Sequence, residues 1–381
     1  MRTFDVSKIP VDSFFSEPVY IDDEFILTSQ EMAFTSKMKE SLGEWRFDKV
    51  KSNGDPQEKS NEIGSAPKDI AKLFLNDSAK LAEAKMFYVN FRCFARDILY
   101  QAANKTPINY DMIAEKIHGV CNEIKMNRRF LLLVQKDVSV NSDEDFLVTH
   151  TVNSTIISII IGIYFKLPAH RLIELGTAAL LHEIGMIKLP PNIVQSKMEL
   201  SKKDRAALMM HPLLGFEILR SLGFPMAIST AALEHHEREN GSGYPHKLIG
   251  DRISLYGKII AVACSYDAIT SKRPHKDAAG GYEGIMDILR NEGKCYDDTV
   301  VRALVFSLSI YPIGQLVLLS NGEKGNVIDV NPTDPRYPIV QILGEKNSGI
   351  QNRIIETSPT GVHIAGPLTT NEYSPPPPPI N

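Results

Sequence analysis

The residues able to do chemistry are concentrated between His150 and Lys276. Six of the chain's ten histidines lie between Val148 and His236, most of them at the ends of apolar helical runs. Leu180-Leu181-His182-Glu183-Ile184-Gly185-Met186 joins an imidazole to a carboxylate, and His235-His236 precedes Glu-Arg-Glu-Asn-Gly-Ser-Gly243-Tyr244-Pro245. His150 and His211 stand singly. Neutral imidazole is the commonest metal ligand in proteins, and a neighbouring carboxylate adds charge that suits a hard divalent ion and can bridge two. Successive residues on a helix point about 100° apart, so His182 and Glu183 can serve different ions or bracket one. A bridged pair roughly 3.5–4 Å apart would use such a set to generate hydroxide and clamp a phosphate.

Four helices are needed to bring these side chains together. The apolar run Leu172 to Leu181 predicts one that closes at His182-Glu183, with Gly185 as its stop. Met226 to Leu233 predicts another, ending at His235-His236. Ser201, with Asp204 three residues on, reads as the cap of a helix carrying His211, which Pro212 loosens so that the ligand aims inward. His150 leads into the apolar run Thr155 to Phe165, which is shorter than the roughly 20 residues of a membrane span and reads as a core helix.

The His-His pair followed by Gly-Ser-Gly-Tyr-Pro, together with His182-Glu183, resembles the HD-GYP family of HD-superfamily metal-dependent phosphohydrolases. Its members are all-helical and typically cleave the bacterial second messenger cyclic di-GMP. The match runs closely from about His150 to Lys276, and Tyr311 to Val340 resembles the short extension that often follows the domain. The resemblance implies metal ligation by His150, His182, Glu183, His211, His235 and His236, with His182 and Glu183 also in the catalytic machinery. It implies a nucleotide-facing loop at Gly243 and Tyr244, the tyrosine against a guanine base. Arg273 and Lys276 would lie on the substrate phosphates, where guanidinium gives bidentate contact and ammonium a point charge.

Four positions depart from the family pattern. Glu183 replaces an aspartate and keeps its charge on a longer stem. Met186 replaces a lysine near the leaving oxygen, and a thioether can neither protonate nor stabilise it. Cys264 replaces a metal-binding aspartate. A thiolate there favours zinc or iron over manganese or magnesium, although a cysteine on an apolar helix also reads as a small buried hydrophobe. Asp267, one turn further, is the alternative ligand at this point. Phe146 replaces a glutamate used for a third metal, so two divalent ions (iron, manganese or zinc) are expected at most.

The rest of the chain frames this domain. The expected organisation is mainly α: an HD-domain helical bundle with a small N-terminal α/β module and a short β-rich C-terminal extension. The segments are a module over 1–55, a linker and helical connector over 56–140, the catalytic domain over 141–310, the extension over 311–345 and a Pro-rich, disordered tail over 346–381. A net charge of −4 gives no electrostatic case for nucleic-acid binding. Four widely spaced cysteines without a signal peptide indicate a reducing, cytoplasmic setting, and the shortness of the Thr155 to Phe165 run leads to the expectation of no membrane span. The connector helices either lead into the catalytic bundle or form a homodimer interface, a choice the sequence leaves open, and a protein partner is a separate expectation. The expected function is hydrolysis of cyclic di-GMP through a binuclear-metal-activated hydroxide, with turnover lowered by the departures. The alternatives are a catalytically degenerate member that binds cyclic di-GMP or a protein partner, and an HD phosphohydrolase acting on another nucleotide, against which the Gly-Tyr-Pro loop argues.

Overall fold

The computed structural model describes residues 77–137, 143–194, 196, 198–271, 279–291, 293–343 and 353–368. It also describes 2–57 apart from 12, 16, 18, 21–25, 29–33, 37–38, 40–41 and 44–46. The chain divides into two compact units, Met1–Lys68 and Asp69–Asn381.

In the first unit short alternating segments become strands. They are β1 (Arg2–Asp5), β2 (Phe14–Phe15), β3 (Val19–Tyr20), β4 (Ile26–Thr28), β5 (Lys49–Ser52) and β6 (Pro56–Gln57). They form a four-stranded sheet in the order β1-β5-β3-β4 and a small β2-β6 pair. Phe15, Val19, Phe34, Leu42 and Val50 close its core.

The second unit is built on α1 (Asp77–Ala103), α2 (Tyr110–Asp137) and α3 (Asp143–Tyr164). From Val148 to Gly162 every residue of α3 is buried, so it is apolar on all sides because helices surround it. The stretch Phe146–Tyr164 is long and apolar enough to cross a membrane, and 83% of that window is buried inside the protein. The chain continues through α4 (Ala169–Leu181), α5 (Pro191–Val194), α6 (Lys202–Leu208), α7 (His211–Ser221), α8 (Met226–Glu234), α9 (Leu255–Thr270), α10 (Gly281–Arg290) and α11 (Asp298–Leu308), and α4, α9 and α11 pack against α3. The expected connector helices are present as α1 and α2, and their Tyr88, Phe91, Ile113, Ile117 and Ile124 belong to the same core as α3, α4 and α9.

After α11 the chain forms β7 (Leu316–Leu319), β8 (Lys324–Asp329), β9 (Ile339–Ile342), β10 (Ile354–Glu356) and β11 (Ile364–Pro367). These make one antiparallel sheet in the order β10-β9-β8-β7-β11. The extension therefore passes residue 345, correcting the expectation of a disordered tail from 346. Ile355, Val362 and Ile364 supply apolar side chains to the cluster of Val317, Val327 and Val340. Residues 369–381, with the five prolines, lie outside the described residues.

A second correction concerns His211. Ser201 does cap a helix, its hydroxyl accepting from the Asp204 N–H at 3.1 Å, but that helix ends at Leu208. His211 opens the next one, with Pro212 in its first turn. A proline there gives up an N–H that has no helical partner anyway, so it starts a helix rather than loosening one.

Candidate metal centre

Each predicted ligand sits where a helix begins or ends, or faces the middle of the bundle. His182 is the residue after α4 and His235 the residue after α8. His211 is the first residue of α7, and His150 and Cys264 lie within α3 and α9. Gly185 does not stop α4, which already ends at Leu181. It lies in a 3-10 turn over Ile184–Lys188, where an added Cβ would stand 2.0 Å from the His211 carbonyl oxygen and 2.6 Å from the Gly215 nitrogen. Its missing side chain lets the His182-Glu183 segment touch the start of α7.

The donors fall into two clusters. His150, His182 and Cys264 present ligand atoms within 4.8 Å of one another, and so do Glu183, His211, His235 and His236. Glu183 connects them. One carboxylate oxygen lies 3.9 Å from Nε2 of both His150 and His182, and the other lies 3.3 Å from Nε2 of His211. Among the described residues, His170 is exposed and joins neither cluster.

The tautomers are set by hydrogen bonds on the far side of each ring. Nδ1–H of His182 donates to the Ala179 carbonyl at 2.6 Å, that of His211 to Leu208 at 2.7 Å and that of His235 to Ala232 at 2.7 Å. His150 donates from Nδ1 to the Asp267 carboxylate at 2.6 Å. Every one of these rings therefore turns Nε2 inward, the nitrogen that can bind a cation once it carries no proton. Asp267 is thus not the alternative ligand. Its second oxygen accepts from Asn153 Nδ2 and the Ser271 hydroxyl, both at 2.7 Å, so both oxygens are committed to holding His150. Asn153 in turn accepts from the Tyr88 hydroxyl at 2.7 Å. A buried chain of hydrogen bonds thereby runs from α1 to a candidate metal ligand. Sequence reading missed Tyr88 and Asn153, which carry no pattern linking them across 65 positions.

This arrangement fits cations. Nε2 of His211 and His235 face each other at 3.2 Å with both Nδ1 protons already engaged, which is repulsive unless a cation lies between them. Oε2 of Glu183 is buried and has no hydrogen-bond partner, an expense that a bound cation removes. Burial alone would raise the Glu183 pKa, yet His211, His182 and His150 hold the carboxylate down to about 2. Burial likewise pushes the Cys264 thiol up, and the His182 and His150 imidazoles reverse it to a net value of about 6. His150 moves the other way: burial lowers it, but Asp267 and Cys264 raise it to about 10. His235 and His236 are held well below the ordinary imidazole value, first by burial and then by neighbouring rings.

The Gly-Tyr-Pro loop closes one side. The Tyr244 ring stacks on His236 at 4.6 Å and 22°. At Gly243 a Cβ would come within 2.5 Å of backbone atoms of His236, Glu237 and Arg238, so only glycine lets the loop fold back this tightly. Glu237, also missed, is the loop's internal frame. Its buried carboxylate accepts from the backbone N–H of His246 at 2.7 Å and of Leu248 at 2.9 Å. Its signal was its place directly after the histidine pair. Phe146 stacks on His150 at 5.9 Å between ring centroids, so an apolar ring stands where the family pattern has a glutamate. Arg273 and Lys276 fall outside the described residues.

Residues 139–300 match a family described as HD domain. Relatives include the cyclic di-GMP phosphodiesterase PdeB of Borreliella burgdorferi, 25% identical over 199 residues, or 52% of this chain and 52% of PdeB. The cyclic di-GMP phosphodiesterase PA4108 of Pseudomonas aeruginosa is 31% identical over 214 residues, or 56% of this chain and 51% of that protein. The chain thus spans about half the length of these curated relatives. Among solved structures, Bd1817, an HDG"Y"P protein from Bdellovibrio bacteriovorus, aligns with a TM-score of 0.48 and 15% identity. That alignment covers 80% of this chain and 97% of Bd1817.

Proposed function

We propose, from the premise that residues 139–300 belong to the HD domain family, that the chain is a metal-dependent phosphodiesterase of the HD-GYP kind that opens cyclic di-GMP in the cytoplasm. The observation that carries this reading is the division of seven donors into two clusters that share the Glu183 carboxylate. Two divalent ions are the proposed cofactors, one held by His150, His182 and Cys264, the other by His211, His235 and His236, with Glu183 between them. When bound, such ions supply Lewis acidity toward phosphate oxygens and activate a water for in-line attack.

The chain's own residues do the rest. Glu183 stays ionised at any working pH and places negative charge between the clusters. Backbone carbonyls and Asp267 hold the imidazoles in one tautomer, so no ring has to turn during turnover. Tyr244, partly buried against His236, offers a flat face for a base at the edge of the centre. Arg273 and Lys276 are proposed as phosphate contacts. At Met186 no proton donor stands, and turnover is accordingly lower than with lysine there.

That last feature also favours a second reading, in which the chain binds cyclic di-GMP and does not cut it. One experiment separates the two. Metal content of anaerobically purified protein is measured together with hydrolysis of cyclic di-GMP, against His182→Ala. About two ions per chain, with turnover abolished in the variant, supports the enzyme. Folded, metal-loaded protein that binds the dinucleotide and leaves it intact supports the second reading.

A further inference from the structure

Within the binuclear reading, on which this inference rests, the two clusters are not chemically alike. Sulfur is present in one and absent from the other. Cys264 Sγ stands 3.1 Å from His182 Nε2 and shares a pocket with His150 and His182. The second pocket offers imidazole nitrogens and a carboxylate oxygen only. Glu183 does not create the difference, because it turns one oxygen to each side.

We infer that the two ions belong to different chemical classes: the His150–His182–Cys264 pocket takes a thiophilic ion, zinc or ferrous iron, and the His211–His235–His236 pocket takes an ion that needs only nitrogen and oxygen donors.

The argument turns on softness rather than charge. A thiolate and a carboxylate each contribute one negative charge, so the attraction for a generic divalent ion is similar with either. Their ranking of ions differs: thiolate selects zinc and iron, while carboxylate and water suit manganese and magnesium. Two imidazoles with one thiolate and one carboxylate oxygen make four donors of the kinds that zinc accepts in tetrahedral sites. The pocket is also rigid. His150 is held by Asp267, and His182 by the Ala179 carbonyl at the end of α4. Cys264 is in the interior of α9 and is buried. Such a site cannot easily enlarge to accept the extra waters a harder ion retains. The second pocket includes the partly exposed His236, beside the Tyr244 loop, so the ion nearer that loop is the one without sulfur. Cys93, Cys121 and Cys295 belong to neither cluster, and loss of the signal in Cys264→Asp is what assigns it to Cys264.

The test is cobalt(II) titration of the metal-free full-length chain under anaerobic conditions, followed in the near ultraviolet for sulfur-to-cobalt charge transfer and in the visible for ligand-field bands. The inference expects the charge-transfer band to rise with a single equivalent while further cobalt binds without adding to it. In Cys264→Asp, which keeps the charge, cobalt still binds and the band is lost. In His236→Ala the band is retained. In competition, excess manganese should fail to displace zinc from the first pocket of the native chain and should displace it in Cys264→Asp. Cobalt binding without a charge-transfer band, or a band that survives Cys264→Asp, overturns the inference and leaves the phosphodiesterase reading intact. A band together with absent turnover of cyclic di-GMP sinks the phosphodiesterase and leaves the inference standing. A folded chain that binds no cobalt sinks both.

Discussion

Glu183 is the residue on which the centre depends, because its two oxygens are divided between clusters that otherwise share no ligand. Glu183→Gln keeps the shape and removes the charge. We expect folded Glu183→Gln to retain fewer ions than the native chain by elemental analysis, and retention of the native complement would refute the bridging role. Protonation follows from the same cluster. His150 holds its proton up to about pH 10 in the metal-free protein, so below that value a metal must displace a proton to reach Nε2, and affinity rises with pH. His235 and His236, lowered well below the usual value, are already neutral and release none. Calorimetric titration with zinc in two buffers of different ionisation enthalpy should therefore show net proton release near neutrality, and buffer-independent heats would contradict it. The pairs His182-Glu183 and His235-His236 were legible in sequence because adjacent ligand types at helix ends form a local pattern, whereas the single His150 and His211 were assigned as ligands only by the resemblance. The role of Asp267 was not, since only the fold reveals that both its oxygens are already engaged.

Between elements, the close approaches matter more than the ligands. Gly185 lets the turn after α4 press against the first turn of α7, and a methyl group there meets backbone atoms that cannot step aside. Gly185→Ala should destabilise the protein by about 1–3 kcal/mol in denaturant unfolding and weaken metal binding as well, since His182 and His211 would be pushed apart. Unchanged values for both would show that the turn yields freely. Farther out, Asp267 ties α9 to His150 on α3, and Tyr88 of α1 joins through Asn153. Asp267→Asn retains the size and loses the charge that orients His150, so metal affinity should fall about 10–100-fold, read by chelator competition. Tyr88→Phe should give a smaller loss in the same assay. The helices were readable from apolar periodicity, but their ends were less so. The sequence pointed to one helix from Ser201 through His211, and the chain breaks it at Met209-Met210 because proline at position 212 favours a fresh start.

At the scale of the whole molecule a metal held at this centre would act as a staple. Its candidate ligands come from α3, α7 and α9 and from the ends of α4 and α8, so ions bound in the two clusters would together join five helices of one core. The metal-free centre instead buries a carboxylate beside several imidazoles and sets two lone pairs face to face. Anything that binds the folded state and not the unfolded one stabilises it by mass action, about 2.7 kcal/mol at a free ligand concentration one hundred times its dissociation constant. Chelation should therefore lower the melting temperature of the full-length chain, and added zinc should restore it. The N-terminal unit, Met1–Lys68, has a core of its own built on Phe15, Phe34 and Val50, whereas every candidate ligand lies in Asp69–Asn381. The fragment 69–381 should accordingly show the same metal-dependent shift in melting temperature as the whole chain. A shift confined to the whole chain would mean that the first unit helps to build the centre, and the division into units would no longer describe its stability.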